Sequence, residues 1–164
     1  MNKLATITAS LLFAIITNSA SANEAAELAA PIAALVAYDS ALKKGDLDAA
    51  KDLTAKFKTI PAEAIEQYTA KLSEGANAGK IVITPVQGSA KTIGDFALIT
   101  VTDGNKERPD YDPAYLIKQD GKWKVFLKLT KWDHPMFDLT DAQKKQLGEL
   151  NEWFDAEKDR LYGR

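Results

Sequence analysis

The chain has no cysteine and a single histidine, His134, in its 164 residues. Without thiols no disulfide can form in any compartment, and no lipid can be attached at a leader-cleavage cysteine. Cohesion therefore has to come from an apolar core. A zinc site would need distant carboxylates to complete a set begun by one imidazole. Charge is close to balanced, with 21 Lys and Arg against 23 Asp and Glu and a net of −2. The basic excess of a nucleic-acid binder is missing, so no nucleic-acid partner is expected. Apolar runs are short as well. Leu4 to Ile16 spans about 13 residues, fewer than the ~20 a helix needs to cross a bilayer. No later stretch is longer, and no period of ~20–50 residues recurs that would indicate a repeat array.

That short run is informative for what surrounds it. Lys3 precedes it, and Ala20-Ser21-Ala22 follows with small residues where a signal peptidase inspects the chain. Residues 1–22 read as an export signal, with the mature protein starting near Asn23 and residing in the periplasm or outside the cell. No membrane-spanning segment is expected after cleavage. The remaining length, about 140 residues, suffices for one domain that buries about two-thirds of its unfolded surface. With 46% hydrophobic and 27% charged residues the composition is that of a globular protein, neither disordered nor collagenous.

The first half has helical spacing. Leu28, Ile32, Leu35, Val36 and Leu42 recur on one face, Pro31 opens or kinks the segment, and Lys43-Lys44-Gly45 ends it. Asp46 is an N-cap for a second helix with the stripe Leu47, Ala50, Leu53 and Phe57. Pro61 suits the first position of a third, which presents Ile65, Tyr68 and Leu72 and closes at Gly75 and Gly79. The period then changes. Lys80–Val86, Ile93–Thr102, Tyr115–Lys118 and Lys122–Thr130 read as strands, the last two joined through Asp120-Gly121, which favours a primed hairpin turn. After the strands, Thr140 and Gln143 have capping-box spacing, and Leu147, Leu150, Phe154 and Leu161 mark one face of a final amphipathic helix. Three helices, four antiparallel strands and a last helix make an α+β protein.

Two segments resemble a known superfamily: the Ala-x-x-x-Gly-Asp junction at 41–46, and Tyr115-Leu116 followed by Asp120-Gly121-Lys122-Trp123-Lys124-Val125. Together with the helix preceding them, they resemble the NTF2-like superfamily, which includes ketosteroid-isomerase-like and SnoaL-like domains. The resemblance covers about residues 28–131. It implies helices packed in a curved antiparallel sheet, a cone with a pocket at its open end, over residues 23–138, with a C-terminal helix at 139–164. The superfamily hosts isomerases, hydrolases, ligand carriers and interaction modules, so the fold does not choose among activities.

Strand alternation assigns Ile81, Ile83, Phe96, Leu98, Tyr115, Ile117, Trp123, Val125, Leu127 and Leu129 to the cone interior. Tyr38, Phe57, Tyr68, Phe96, Tyr115 and Trp123 would then line a site for a small apolar or amphiphilic ligand. Isomerases of this fold use an Asp base with a Tyr and a protonated Asp. No carboxylate falls on the assigned interior side, so no catalytic residue, cofactor or metal is expected. Asp133 points away from His134 in an extended segment. The oxygen-rich loop Asp103, Asn105, Glu107, Asp110 and Asp112 lacks the glycine and glutamate of an EF-hand. Lys118, Lys122, Lys124 and Lys128 share one parity and would form a solvent-facing ladder.

Ile99, Val101, Leu116, Phe126 and Trp132 fall on the outer side, an apolar patch that needs cover. Either the final helix folds back over it or two copies pair sheet to sheet, and a homodimer with the tail taking part is the expectation. The function that follows is an exported, non-enzymatic binding or interaction module. One alternative is a SnoaL- or isomerase-like enzyme using Tyr38, Tyr68 or Tyr115. Another is an envelope accessory or inhibitor acting through its sheet.

Overall fold

The computed structural model describes residues 26–103, 107, 109–126 and 138–164. Residues 1–22, where an export signal is expected, and Asn105, Leu127, Lys128, Leu129, Trp132, Asp133 and His134 lie outside them. The described elements are α1 (26–44), α2 (Leu47–Asp52), α3 (Ala62–Asn77), β1 (Thr84–Ile93), β2 (Phe96–Thr102), β3 (Tyr111–Gln119), β4 (Lys122–Phe126) and α4 (Asp141–Tyr162). The α+β class is as expected. The four strands form one antiparallel meander in the order β1-β2-β3-β4. Among the described residues no helix is long and apolar enough to cross a membrane.

Local chemistry accounts for most boundaries. Asp46 caps α2 by accepting from the Ala49 amide at 3.0 Å, and Thr140 and Gln143 make the reciprocal capping box of α4. Asp120 and Gly121 both have positive φ, +50° and +74°, as the primed turn requires. The first strand is displaced from its expected position, beginning at Thr84 and running to Ile93. A bulge between Pro85 and Ala90 breaks its register with β2, and there the alternation is lost. The second helix ends at Asp52 rather than reaching Phe57. Instead the chain turns along the open edge of β4. The Val125 amide donates to Leu53 O at 2.7 Å and the Ala55 amide to Val125 O at 2.9 Å. Gln119 extends the pairing with its side chain, exchanging two 2.9 Å bonds with the backbone of Lys56. Leu53–Lys56 thus acts as a strap that satisfies an edge otherwise open to another chain.

Both faces of the sheet are buried within the chain. On one, Ala97, Ile99, Leu116 and Val125 pack with Leu35, Tyr38, Ala41 and Leu42 of α1 and with Ala50 and Ala76. On the other, Phe96, Leu98, Tyr115, Ile117 and Phe126 pack with Leu147, Leu150 and Phe154 of α4. This corrects the interior assignment. Trp123 and Val125 do face the helical half, but Phe96, Leu98, Tyr115 and Ile117 lie under α4. It also corrects the proposed dimer face. Ile99 and Leu116 are fully buried against α1–α3, Val101 packs on the same cluster, and Phe126 lies on the opposite face. The N-terminal helices cover Ile99, Val101 and Leu116, and α4 covers Phe126. The lysine ladder is likewise split, because Lys118 pairs with Trp123 whereas Lys124 pairs with Ile117. Lys124 instead donates to the Asp52 carbonyl at the end of α2.

α4 is tethered at its lead-in as well as along its length. Asp138 accepts from the Thr59 amide and hydroxyl at 2.8 and 2.9 Å. Gln146 lies against Gly94 in the β1–β2 turn, where an added Cβ would meet its side chain at 2.2 Å and φ is +57°. Gly94→Ala should therefore lower stability by about 1–2 kcal/mol, read as a shift of the urea midpoint. An unchanged midpoint would mean that Gln146 does not rest on that turn.

Candidate functional site

The strongest concentration of unsatisfied chemistry lies between α1 and α3. The two helices run parallel. Ser73 Oγ donates to Leu42 O at 2.8 Å, and one turn further on, the Cβ position of Gly45 falls 3.8 Å from Asn77 Nδ2. One turn earlier on each helix stand Tyr38 and Thr69. Both are buried, at 1% and 0% exposure, and among the described residues neither Tyr38 Oη nor Thr69 Oγ1 has a hydrogen-bond partner. A buried polar group left in that state costs about 1–3 kcal/mol. Thr54 and Tyr68 are the polar neighbours that act on Tyr38. Thr54 Oγ1 is committed to Ala50 O at 2.9 Å, and its approach to the phenol falls short of a hydrogen bond. Burial holds the Tyr38 phenol above its ordinary pKa, Thr54 partly offsets this, and Tyr68 adds to it.

The helical faces explain why these residues meet. On α3 the buried positions are Ile65, Thr69, Ser73 and Ala76, a stripe of small side chains that lets α1 approach closely. The apolar reading of that helix selected Ile65, Tyr68 and Leu72 and missed Thr69, since a threonine there carries no hydrophobic signal. On α1, Leu35, Tyr38 and Leu42 turn inward, whereas Val36 is 50% exposed.

The six residues expected to line one cavity divide between the two sheet faces. Tyr38 and Trp123 belong to the helical side, and Tyr68, on α3, acts electrostatically on Tyr38. Phe96 and Tyr115 are under α4. Phe57 packs edge-on against Phe126, with ring centroids 5.1 Å apart, and with Ile60 and Ile65 it lines a surface groove of about 520 Å³ between α2 and α3. Tyr115 has a partner of its own. Its hydroxyl donates to Asn151 Oδ1 at 2.5 Å, and burial first, then the Asp155 carboxylate, push its pKa up to about 12.

Under α4 sits a second polar cluster that the strand pattern did not reveal. Ser89 Oγ and Thr100 Oγ1, both fully buried, are 2.7 Å apart. Above them Glu157 accepts from Arg160 Nε and Nη2 at 2.8 and 2.6 Å. Arg160 chiefly, and Ser89 more weakly, hold that carboxyl below its usual range against the opposing effect of burial. The arrangement fixes the C-terminal half of α4 over the sheet. In the loop between β2 and β3, Asp110 accepts from the Tyr162 hydroxyl at 3.1 Å. Among the described residues no group of three or more His, Cys, Asp or Glu is placed to hold a metal ion.

No protein-family model matches the chain, and no curated protein matches it. Among solved structures it is similar to a chain from Campylobacter jejuni described as an NTF2-like transpeptidase. The two are 21% identical, the match covers 56% of this chain and 92% of that one, and the TM-score is 0.42. The fold rests on the elements described above.

Proposed function

We propose that this protein is an exported, non-enzymatic binding module that holds a small amphiphilic ligand on the helical side of its sheet. The observation that carries the reading is the pair of buried hydroxyls without a partner among the described residues, Tyr38 Oη on α1 and Thr69 Oγ1 on α3. A ligand with one polar head would satisfy both and recover the free energy they cost unpaired. The groups acting on Tyr38 are themselves hydroxyls, which suit holding a polar head rather than removing a proton from it. The surrounding Leu35, Ala41, Leu42 and Ile99 suit an apolar body. Export is supported by Lys3, the run Leu4–Ile16 and Ala20-Ser21-Ala22.

Native mass spectrometry of protein purified from its own compartment tests both parts. The expected spectrum shows the chain without residues 1–22 and carries an additional small-molecule mass. That mass should disappear in the Tyr38→Phe, Thr69→Val double variant. A bare protein mass in the unaltered chain, or an adduct that the double variant retains, would refute the binding reading.

A further inference from the structure

A separate groove opens where α1 begins, between the β1–β2 turn and the start of β4. Its volume is about 500 Å³, within the ~300–1,000 Å³ typical of small-ligand sites. Trp123 lines it while also packing against the helical core, so the ring is held in place rather than free in solvent. Lys118 stands directly opposite Trp123 in the β3–β4 register. Thr92 and Asp95 enter from the β1–β2 hairpin and Glu27 from α1. The backbones of Lys118 and Asp95 are joined by a 2.8 Å hydrogen bond, yet their side chains do not pair. Among the described residues, the Trp123 indole N–H, the Thr92 hydroxyl, the Asp95 carboxylate and the Lys118 ammonium all lack a protein partner.

The geometry points to a saccharide site, with a β-gluco-configured pyranose stacked on Trp123 and its hydroxyls bonded by Asp95, Lys118 and Thr92. In such a ring the hydroxyls are equatorial, and the axial C–H groups leave two apolar faces that suit an indole. Each edge hydroxyl both donates and accepts. The groove answers with an acceptor in Asp95, donors in Lys118 and the indole N–H, and a group of either kind in Thr92. Other ligands fit less well. Asp95 and Glu27 repel a phosphate or a second carboxylate, and Lys118 repels a cation. An acyl chain would strip water from four polar groups and return no hydrogen bonds.

The test is an NMR titration of the ¹⁵N-labelled protein with cellotriose and, separately, chitotriose. Saturable shifts of the Trp123 indole resonance and of the Thr92, Asp95 and Lys118 amides are expected with at least one of them at millimolar concentration. Asp95→Ala, an exposed position, should weaken that binding about tenfold, and Trp123→Phe should abolish it. The proposal is overturned if neither sugar produces these shifts, or if Asp95→Ala and Trp123→Phe bind as well as the unaltered chain. It is equally overturned if inorganic phosphate moves the same resonances and the sugars do not. Asp95→Ala lies outside the cluster that holds Tyr38, so with that variant the two binding proposals stand or fall separately.

Discussion

Leu150→Ala should lower the unfolding free energy by about 2–5 kcal/mol in a urea titration. Leu150 is fully buried at the centre of α4, in one cluster with Phe96, Leu98, Ile117 and Phe154. Truncating it removes the transfer free energy of the side chain and leaves a cavity that two rigid surfaces, a sheet and a capped helix, cannot close by small movements. Val36→Ala provides the comparison. Val36 is also aliphatic and helical but half exposed, and its loss should change stability by less than ~0.5 kcal/mol. Equal effects at the two positions would refute the placement of α4 over the sheet and the inward face of α1 together.

The second large effect has the opposite sign. Tyr38→Phe should stabilise the ligand-free protein by about 1–3 kcal/mol, because it removes a buried hydroxyl that has no partner and leaves the packed ring in place. Differential scanning calorimetry reads the change as a raised Tm. Most substitutions in a core destabilise, so a gain here is a specific signature of a group kept for something other than folding. The same variant is expected to lose the bound mass, giving a protein that is more stable and less competent. A drop in Tm would mean that Tyr38 is hydrogen-bonded in solution, and the binding proposal would lose its basis.

The elements and their caps were legible because they are local. Asp46, the Thr140–Gln143 pair and Asp120-Gly121 each satisfy backbone groups within a few residues, and each stands where the sequence placed it. The sidedness of the sheet was harder to read, for two reasons. Phe96 to Thr100 are all buried, so β2 has two dry faces and presents a continuous apolar run with no alternation to follow. The second reason was recoverable. Asp120-Gly121 is a two-residue turn, so Gln119 faces Lys122, and each further step pairs an odd-numbered residue with an even-numbered one. Tyr115 must therefore share a face with Phe126 rather than with Trp123. The candidate site was half legible. Tyr38 and Tyr68 stood out as aromatics on helices, whereas Thr69 and Thr54 gain meaning from the close approach of α1 and α3, a property of the folded chain and not of either segment.

The strap along β4 has a consequence for when the protein can fold. Leu53–Lys56 follows directly on α2, but the groups that hold it, Gln119 and Val125, are made much later, the Lys56–Gln119 bond spanning 63 positions. Closing so long a loop has to wait until the β3–β4 hairpin exists. A nascent chain emerging N-terminus first therefore carries α1–α3 without the sheet that completes their core until Val125 has been made, and its N-terminal half stays an open, extended polymer until then.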